Sequence, residues 1–342
     1  MRARRARLTL LLLALGLPLC ILHGTASGTV DISLIDAVGA LGRYISGEGV
    51  DQDAVIIGHI RLPRTLLAMF VGAMLGMTGA AMQGLFRNPL ADPSLIGVTA
   101  GAALGASIAI ALAAPVVAGV GALGVVSLGA FAGGMLAVIL VYKLATSGGV
   151  TSVATMLLAG IAISALSAAA SNVLEFYSSN EILRRISMWR MGGLDGANYP
   201  RVAVALGATT VLAIALPRFA NALNALLLGE SEARYLGINI EFSKSCIVTL
   251  AAIGVGLAVA LAGVIGFVGL VVPHIMRMLI GPDHRYLLPA SGLAGAILLV
   301  LADTLSRTLL APTELPVGVV TAAIGVPFFI SLLRRRRDYG ML

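Results

Sequence analysis

The chain has 342 residues, of which 58% are hydrophobic and 11% charged, with a net charge of +7. Soluble domains carry about 25% charged residues, and a chain this apolar lacks the polar surface to cover a fold of its length in water. Disorder is excluded by the same composition, because disordered chains are rich in charge and poor in apolar residues; the bilayer is the solvent that fits.

A helix needs about 20 mostly apolar residues to cross ~30 Å of hydrocarbon. In chain order the sequence predicts such spans at roughly 8–27, 63–84, 93–113, 116–142, 153–174, 200–219, 245–262, 264–280, 287–305 and 316–333. The run Cys246–Ile280 is too long for one span and is divided near Gly263, which gives ten. The basic start followed by Leu8–Leu19 also has the shape of a cleaved signal peptide. A lipoprotein signal at Leu17-Pro18-Leu19-Cys20 is disfavoured by the bulky leucine where a small residue belongs. A retained first span agrees better with the charge pattern.

That pattern places Arg2, Arg4, Arg5 and Arg7 at one end and Arg334 to Arg337 at the other, with Lys143 and Lys244 as the two lysines. A basic chain can bind nucleic acid. Here the clustering follows the positive-inside rule, which puts both termini in the cytoplasm and requires an even number of spans. Cys20 and Cys246 sit in apolar stretches without a CxxC, so they read as buried thiols rather than as a disulfide or metal site.

With an inside start, the connection 28–60 faces outward, and it is acidic: Asp31, Asp36, Glu48, Asp51 and Asp53 against Arg43. The segment 175–199 also faces outward, and the largest inward connection is 220–244. Gly72-x3-Gly76, Gly97-x3-Gly101-x3-Gly105 and Gly254-x-Gly256 mark close helix packing. Prolines at 63, 89, 93, 115, 273, 289 and 316 start or punctuate spans. There is no direct repeat.

Three stretches are more specific than composition. The first runs from Arg61-Leu62-Pro63-Arg64 through Gly79-Ala80-Ala81-Met82-Gln83 to Arg87-Asn88-Pro89-Leu90-Ala91-Asp92-Pro93. The second is Gly266-Phe267-Val268-Gly269-Leu270-Val271-Val272-Pro273-His274-Ile275-Met276-Arg277, then Asp283-His284-Arg285. The third is Ala302-Asp303-x3-Arg307 with Glu314-Leu315-Pro316-Val317-Gly318. Together, and in order over nearly the whole chain, they resemble the permease family of bacterial ABC importers for cobalamin, haem and iron–siderophore chelates.

The resemblance implies an all-α, polytopic inner-membrane protein of about ten spans, with the cobalamin-permease-like architecture of type II importers. The whole chain would be one transmembrane domain. It further implies a homodimer in lipid, two ATPase subunits that use ATP and Mg, and a periplasmic substrate-binding protein. The chain itself would bind no cofactor or metal, contact no nucleic acid and catalyse no reaction. It carries no G-x-x-x-x-G-K-[ST], so it has no P-loop of its own.

Arg61 and Arg64 stand three apart at the predicted outer mouth of the second span, and Arg307 at the outer end of the ninth. In the family resembled, arginines at these positions meet glutamates on the binding protein, and a planar guanidinium suits that recognition. Headgroup anchoring, or an i,i+4 pair of Arg307 with Asp303, is the alternative. The segment 225–241, with Gly229, Glu230, Ala233, Arg234, Leu236 and Gly237, resembles the coupling helices that carry ATPase closure to the spans. Glu230 and Arg234 stand i,i+4, while Ala233 and Leu236 are expected to face a partner groove; a plain interfacial helix is the alternative. Asn88 and Leu90, with Val153 and Ala154, occupy the two connections that form the cytoplasmic gate in the family, although plain turns explain them equally.

His274 and Asp303 invite a proton-relay reading, but backbone bonding for His274 and pairing with Arg307 for Asp303 are simpler. No HExxH or nucleophile triad supports an intramembrane enzyme. A gradient-driven transporter would need mid-span carboxylates, of which Asp303 is the one candidate. Substrate-path candidates are Arg184, Arg185, Trp189 and Arg190, three cations with the single tryptophan near the pore entrance. They suit the propionates and flat ring of haem, and interfacial anchoring is the alternative. The versions at Gly281–Pro289 and Ser306–Pro312 look most like haem permeases, with cobalamin and ferric siderophores open.

Overall fold

The computed structural model describes residues 2–30, 32–47, 51–113 and 120–338. Asp31, Glu48 and Pro115, named above, lie outside the described residues. The long apolar helices are α1 (Arg2–Ala26), α4 (Leu62–Leu85), α5 (Val98–Ala113), α6 (Val120–Ala145), α7 (Val153–Phe176), α9 (Tyr199–Ala215), α12 (Ile240–Ala262), α13 (Val268–Ile280), α14 (His284–Thr308) and α15 (Val317–Asp338). Among the described residues seven helices are long and apolar enough to cross a membrane, and three shorter apolar ones, Val98–Leu112, Val268–Ile280 and Val317–Ser331, complete the ten.

Between them stand five shorter helices. They are α2 (Leu34–Ser46), α3 (Gln52–Val55), α8 (Asn180–Arg190), α10 (Ala220–Leu226) and α11 (Glu230–Tyr235). The turn between α6 and α7 closes as a two-residue hairpin, β1 (Thr146–Ser147) antiparallel to β2 (Val150–Thr151), with Thr146 opposite Thr151.

Local chemistry sets many of the helix starts. Ser152, Ser179, Asn198, Asn239 and Asp283 each cap the helix that follows, the side-chain oxygen accepting a first-turn N–H. The division near Gly263 is borne out. Helix α12 stops at Ala262 because Gly263 turns at φ 67°, and α13 restarts after Phe267, itself at φ 67°.

Three boundaries differ from the sequence reading. The second apolar helix starts eleven residues earlier, because α3, a π-helical segment Ile56–Arg61 and α4 form one continuous helix, Gln52–Leu85, of 34 residues. Pro93–Ile96 is a separate 3-10 turn, so the third span starts at Val98. The outward segment 175–199 is not all loop, since its polar and apolar residues alternate at helical spacing and fold as α8.

Helix α4 is buried along nearly its whole length, and α14 crosses it with backbone against backbone. A Cβ on Gly72 would stand 2.2 Å from the Gly295 carbonyl oxygen, and one on Gly76 2.0 Å from that of Ser291. Helices α5 and α6 meet the same way, Gly101 against Gly133 and Gly105 against Gly129. In lipid, where apolar burial does not separate helix from solvent, such close packing is the main source of association.

Candidate functional site

The α1 C-terminus, the start of α4 and the end of α14 converge on one side of the bundle. Helix α1 ends with carbonyls that lack intrahelical partners, and two arginines supply donors. Arg61 donates to the carbonyls of Ala26 and Val30, and Arg307 to those of Gly24 and Ser27, both at 2.9 Å. Cations at a helix C-terminus are favourable for the same reason. Arg64 points elsewhere: its Nε donates to Asp303 at 2.8 Å and its Nη1 to Glu314 at 2.7 Å. Arg307 Nε closes the group on the second Asp303 oxygen at 3.1 Å.

All three arginines are buried. Arg61 and Arg64, expected side by side on a helix start, lie inside the continuous helix and serve different partners. The pairing of Asp303 with Arg307 is present, and Arg64 shares it.

Next to Arg64 lies a cavity of about 680 Å³. Its walls come from the α5 and α12 C-termini, the α6, α9 and α15 N-termini, and α8. Arg184, Arg185, Trp189, Arg201, Asp195, Glu181 and Glu314 give it polar groups, and Ile110, Val126, Met188, Leu315 and Val317 its apolar walls. Of the four residues proposed for the substrate path, Arg184, Arg185 and Trp189 line this cavity. Arg190 does not. It binds Glu175 at 2.8 Å and lines a separate pocket of about 370 Å³ with Ser94 and Ser164.

Arg201 escaped the sequence reading because it stands in an apolar helix with no neighbouring charge motif. Its guanidinium reaches Ser127 Oγ at 2.9 Å and the carbonyl of Gly196 at 3.2 Å, fixing the floor of the cavity. Tyr199, also missed, donates its hydroxyl to the Gly58 carbonyl within the π-helical segment at 2.6 Å.

At the opposite ends of the same helices stand the gate and coupling candidates. Asn88 Oδ1 accepts from the Leu90 N–H at 2.9 Å, which makes the Asn88-Pro89-Leu90 turn self-supporting. Val153 and Ala154 open α7, with Ala154 exposed. Gly229 (φ 132°) and Gly237 (φ 80°) bracket α11 and allow the sharp entry and exit of so short a helix. Ala233 is turned inward, against the expectation of a partner groove, whereas Tyr235 is 92% and Leu236 63% exposed.

The expected Glu230–Arg234 pair gives way to a stronger one, with Glu230 2.9 Å from Lys244 Nζ. Helix α10 is tied to α14 by Asn224, whose Oδ1 meets the His284 N–H at 2.9 Å and Nδ1 at 2.8 Å, and whose Nδ2 donates to Asp283 at 2.7 Å. Pro273 and His274 lie within α13 rather than at a break, and the His274 ring stands edge-on to Phe328. Among the described residues no cluster of three His, Cys, Asp or Glu could hold a metal.

Comparison with known proteins fits this geometry. The FecCD transport family model matches residues 12–335. A hemin transport system permease protein of Yersinia pestis is 47% identical over 282 residues, 82% of this chain and 83% of its own. A cobalamin import system permease protein of Halobacterium salinarum is 46% identical over 289 residues, 84% of this chain and 76% of its own. In structure, a metal-chelate type ABC transporter in an inward-facing conformation superposes with a TM-score of 0.82 at 30% identity, covering 96% of this chain and 99% of the other.

Proposed function

The chain belongs to the FecCD transport family, as a multi-pass permease subunit of the ABC importers for metal chelates, cobalamin and haem, and from that premise we propose that it carries haem from periplasm to cytoplasm by alternating access. The observation that carries the reading is the cavity of about 680 Å³ at the outer ends of the helices. Arg184 and Arg185 stand over it with Trp189, beside apolar walls. Arginine forks suit two carboxylates, and an indole suits a flat conjugated ring. The similarity to a hemin permease supports the same substrate. The comparable similarity to a cobalamin permease makes cobalamin the second reading.

The working unit in this reading is a homodimer with an ATPase subunit below each protomer, which binds ATP and Mg, and a binding protein above. Helix α11 offers Tyr235, Leu236 and Arg234 to the ATPase. Asn88, Leu90, Val153 and Ala154 form the inner gate. Arg61, Arg64 and Arg307 are the docking candidates. For them docking is an exchange: carboxylates of the binding protein take the place of Glu314 and Asp303 at Arg64, and of backbone carbonyls at Arg61 and Arg307.

Reconstitution tests the reading. The chain, with an ATPase and binding protein encoded beside it, is placed in liposomes and uptake of haem and of cyanocobalamin is measured with and without ATP. ATP-dependent haem uptake, reduced by Arg184→Ala, Arg185→Ala and Trp189→Ala, is the expected result. Cobalamin uptake alone establishes the second reading. Uptake driven by an ion gradient without ATP overturns both.

A further inference from the structure

Lys244 is the fifth residue of α12 and is 1% exposed, the largest side chain buried to that degree among the described residues. A buried ammonium is costly unless its three N–H donors are met. Here three acceptors from three parts of the chain meet them. They are the Thr151 carbonyl at 2.8 Å, Glu230 Oε2 at 2.9 Å and Glu241 Oε1 at 3.4 Å. The other oxygen of Glu241 accepts the Thr151 N–H at 2.9 Å. Both backbone groups of Thr151 are therefore held by side chains of α12.

Thr151 is the last residue of the hairpin, two before Val153, and its hydroxyl also bonds Thr146 across the strands at 3.0 Å. Glu230 is the first residue of α11. One ammonium thus joins the helix offered to the ATPase to the turn that opens α7.

We propose that Lys244 is a positioning residue that transmits movement of α11 to the start of α7, so that displacement of the coupling helix pulls the gate turn with it. The proposal rests on the ATPase-coupled reading above. The geometry is specific for transmission rather than mere burial. Glu241, which lies on its own helix three residues away, is the most distant of the three acceptors. The shorter bonds instead run to two segments, 93 and 14 residues distant in sequence, that have no other hydrogen bond or ion pair to each other among those described.

The test uses the full complex in liposomes, with haem and cyanocobalamin as substrates. Lys244→Met keeps the stem and removes the donors. ATP hydrolysis should persist while substrate taken up per ATP falls about tenfold, the scale of a typical coupling energy between two sites. Glu230→Gln, at a carboxylate 35% exposed, carries the same prediction if Lys244→Met does not fold. The double variant should be no worse than the more severe single one.

A second readout needs no transport. Spin labels at Ser147 and Ser231, both exposed, in a chain with Cys20→Ala and Cys246→Ala, report the hairpin-to-α11 distance. One narrow distribution in the native chain and a broad one in Lys244→Met supports the linkage. Native uptake per ATP in Lys244→Met, or an unchanged distance distribution, overturns it. A native complex that takes up neither substrate with ATP overturns the functional reading, and the distance readout then judges the linkage by itself.

Discussion

Arg64 Nε lies 2.8 Å from Asp303 Oδ1 across 239 residues of sequence, and Asp303 is 1% exposed. One carboxylate therefore serves two buried guanidiniums, those of Arg64 and Arg307. Breaking such a group from one side leaves uncompensated charge, which costs about 3–5 kcal/mol, whereas replacing the whole group with apolar residues is often neutral. Asp303→Asn is expected to lower the unfolding temperature in detergent markedly. The triple change Arg64→Met, Asp303→Leu, Arg307→Met should recover only part of the loss, because the Gly24 and Ser27 carbonyls lose their Arg307 donors. An Asp303→Asn protein as stable as the parent would contradict the network.

Docking is separable from that stability effect at Glu314, whose side chain is 40% exposed. Glu314→Gln frees part of Arg64 without removing it. If the binding protein's carboxylates exchange with Glu314, this variant should bind the binding protein at least as tightly as the parent, and Arg64→Glu should lose binding. Surface plasmon resonance on the detergent-solubilised complex checks both, with circular dichroism confirming that each variant is folded.

The glycine crossings allow a controlled comparison. Gly76→Ala and Gly105→Ala place a Cβ 2.0 and 2.1 Å from the carbonyl oxygens of Ser291 and Gly129. Helix displacement of that kind costs about 1–3 kcal/mol. Gly207→Ala in α9 meets nothing within 4 Å and should be tolerated. Monodisperse yield from size-exclusion chromatography should fall for the first two and hold for the third.

Asn224 gives a prediction for the inner side. Asn224→Leu strips the His284 N–H and Nδ1 of their acceptor, and a buried donor left unmet costs about 1–3 kcal/mol. Helix α10 should then loosen from α14. Faster amide hydrogen exchange over Ala220–Leu226, with little change in α4, is the expected pattern.

Much of the fold was legible because the spans are written in long apolar runs bounded by glycine, proline and capping residues. Gly263 was readable as a break because the run Cys246–Ile280 is too long for one span, and its left-handed φ of 67° is what ends α12. The start of the second apolar helix was misread because its first turns carry Asp53, His59 and Arg61, polar residues that look like loop. The cavity-lining residues Arg184, Arg185 and Trp189 of α8 stand out in the sequence because aromatic and cationic side chains cluster within seven positions.

What stayed hidden are partnerships over long sequence separation. Glu230 reads as a partner of Arg234 at helical spacing, yet a buried ammonium needs acceptors more than an exposed guanidinium does, and Lys244 takes it. Likewise Arg61 and Arg307 carry no local sign that they cap the α1 C-terminus.

The α4–α14 crossing has a consequence for how the molecule can move. Gly72 meets Gly295 and Gly76 meets Ser291 with no side chain between the two main chains. A ratchet of one helix past the other would need a tooth of larger volume to pass through a slot without clearance. These two helices must therefore travel as a single strut. In the alternating-access reading, the opening and closing of a passage would fall instead to the helices around it, such as α7 and α9, whose surfaces are mostly free within the protomer.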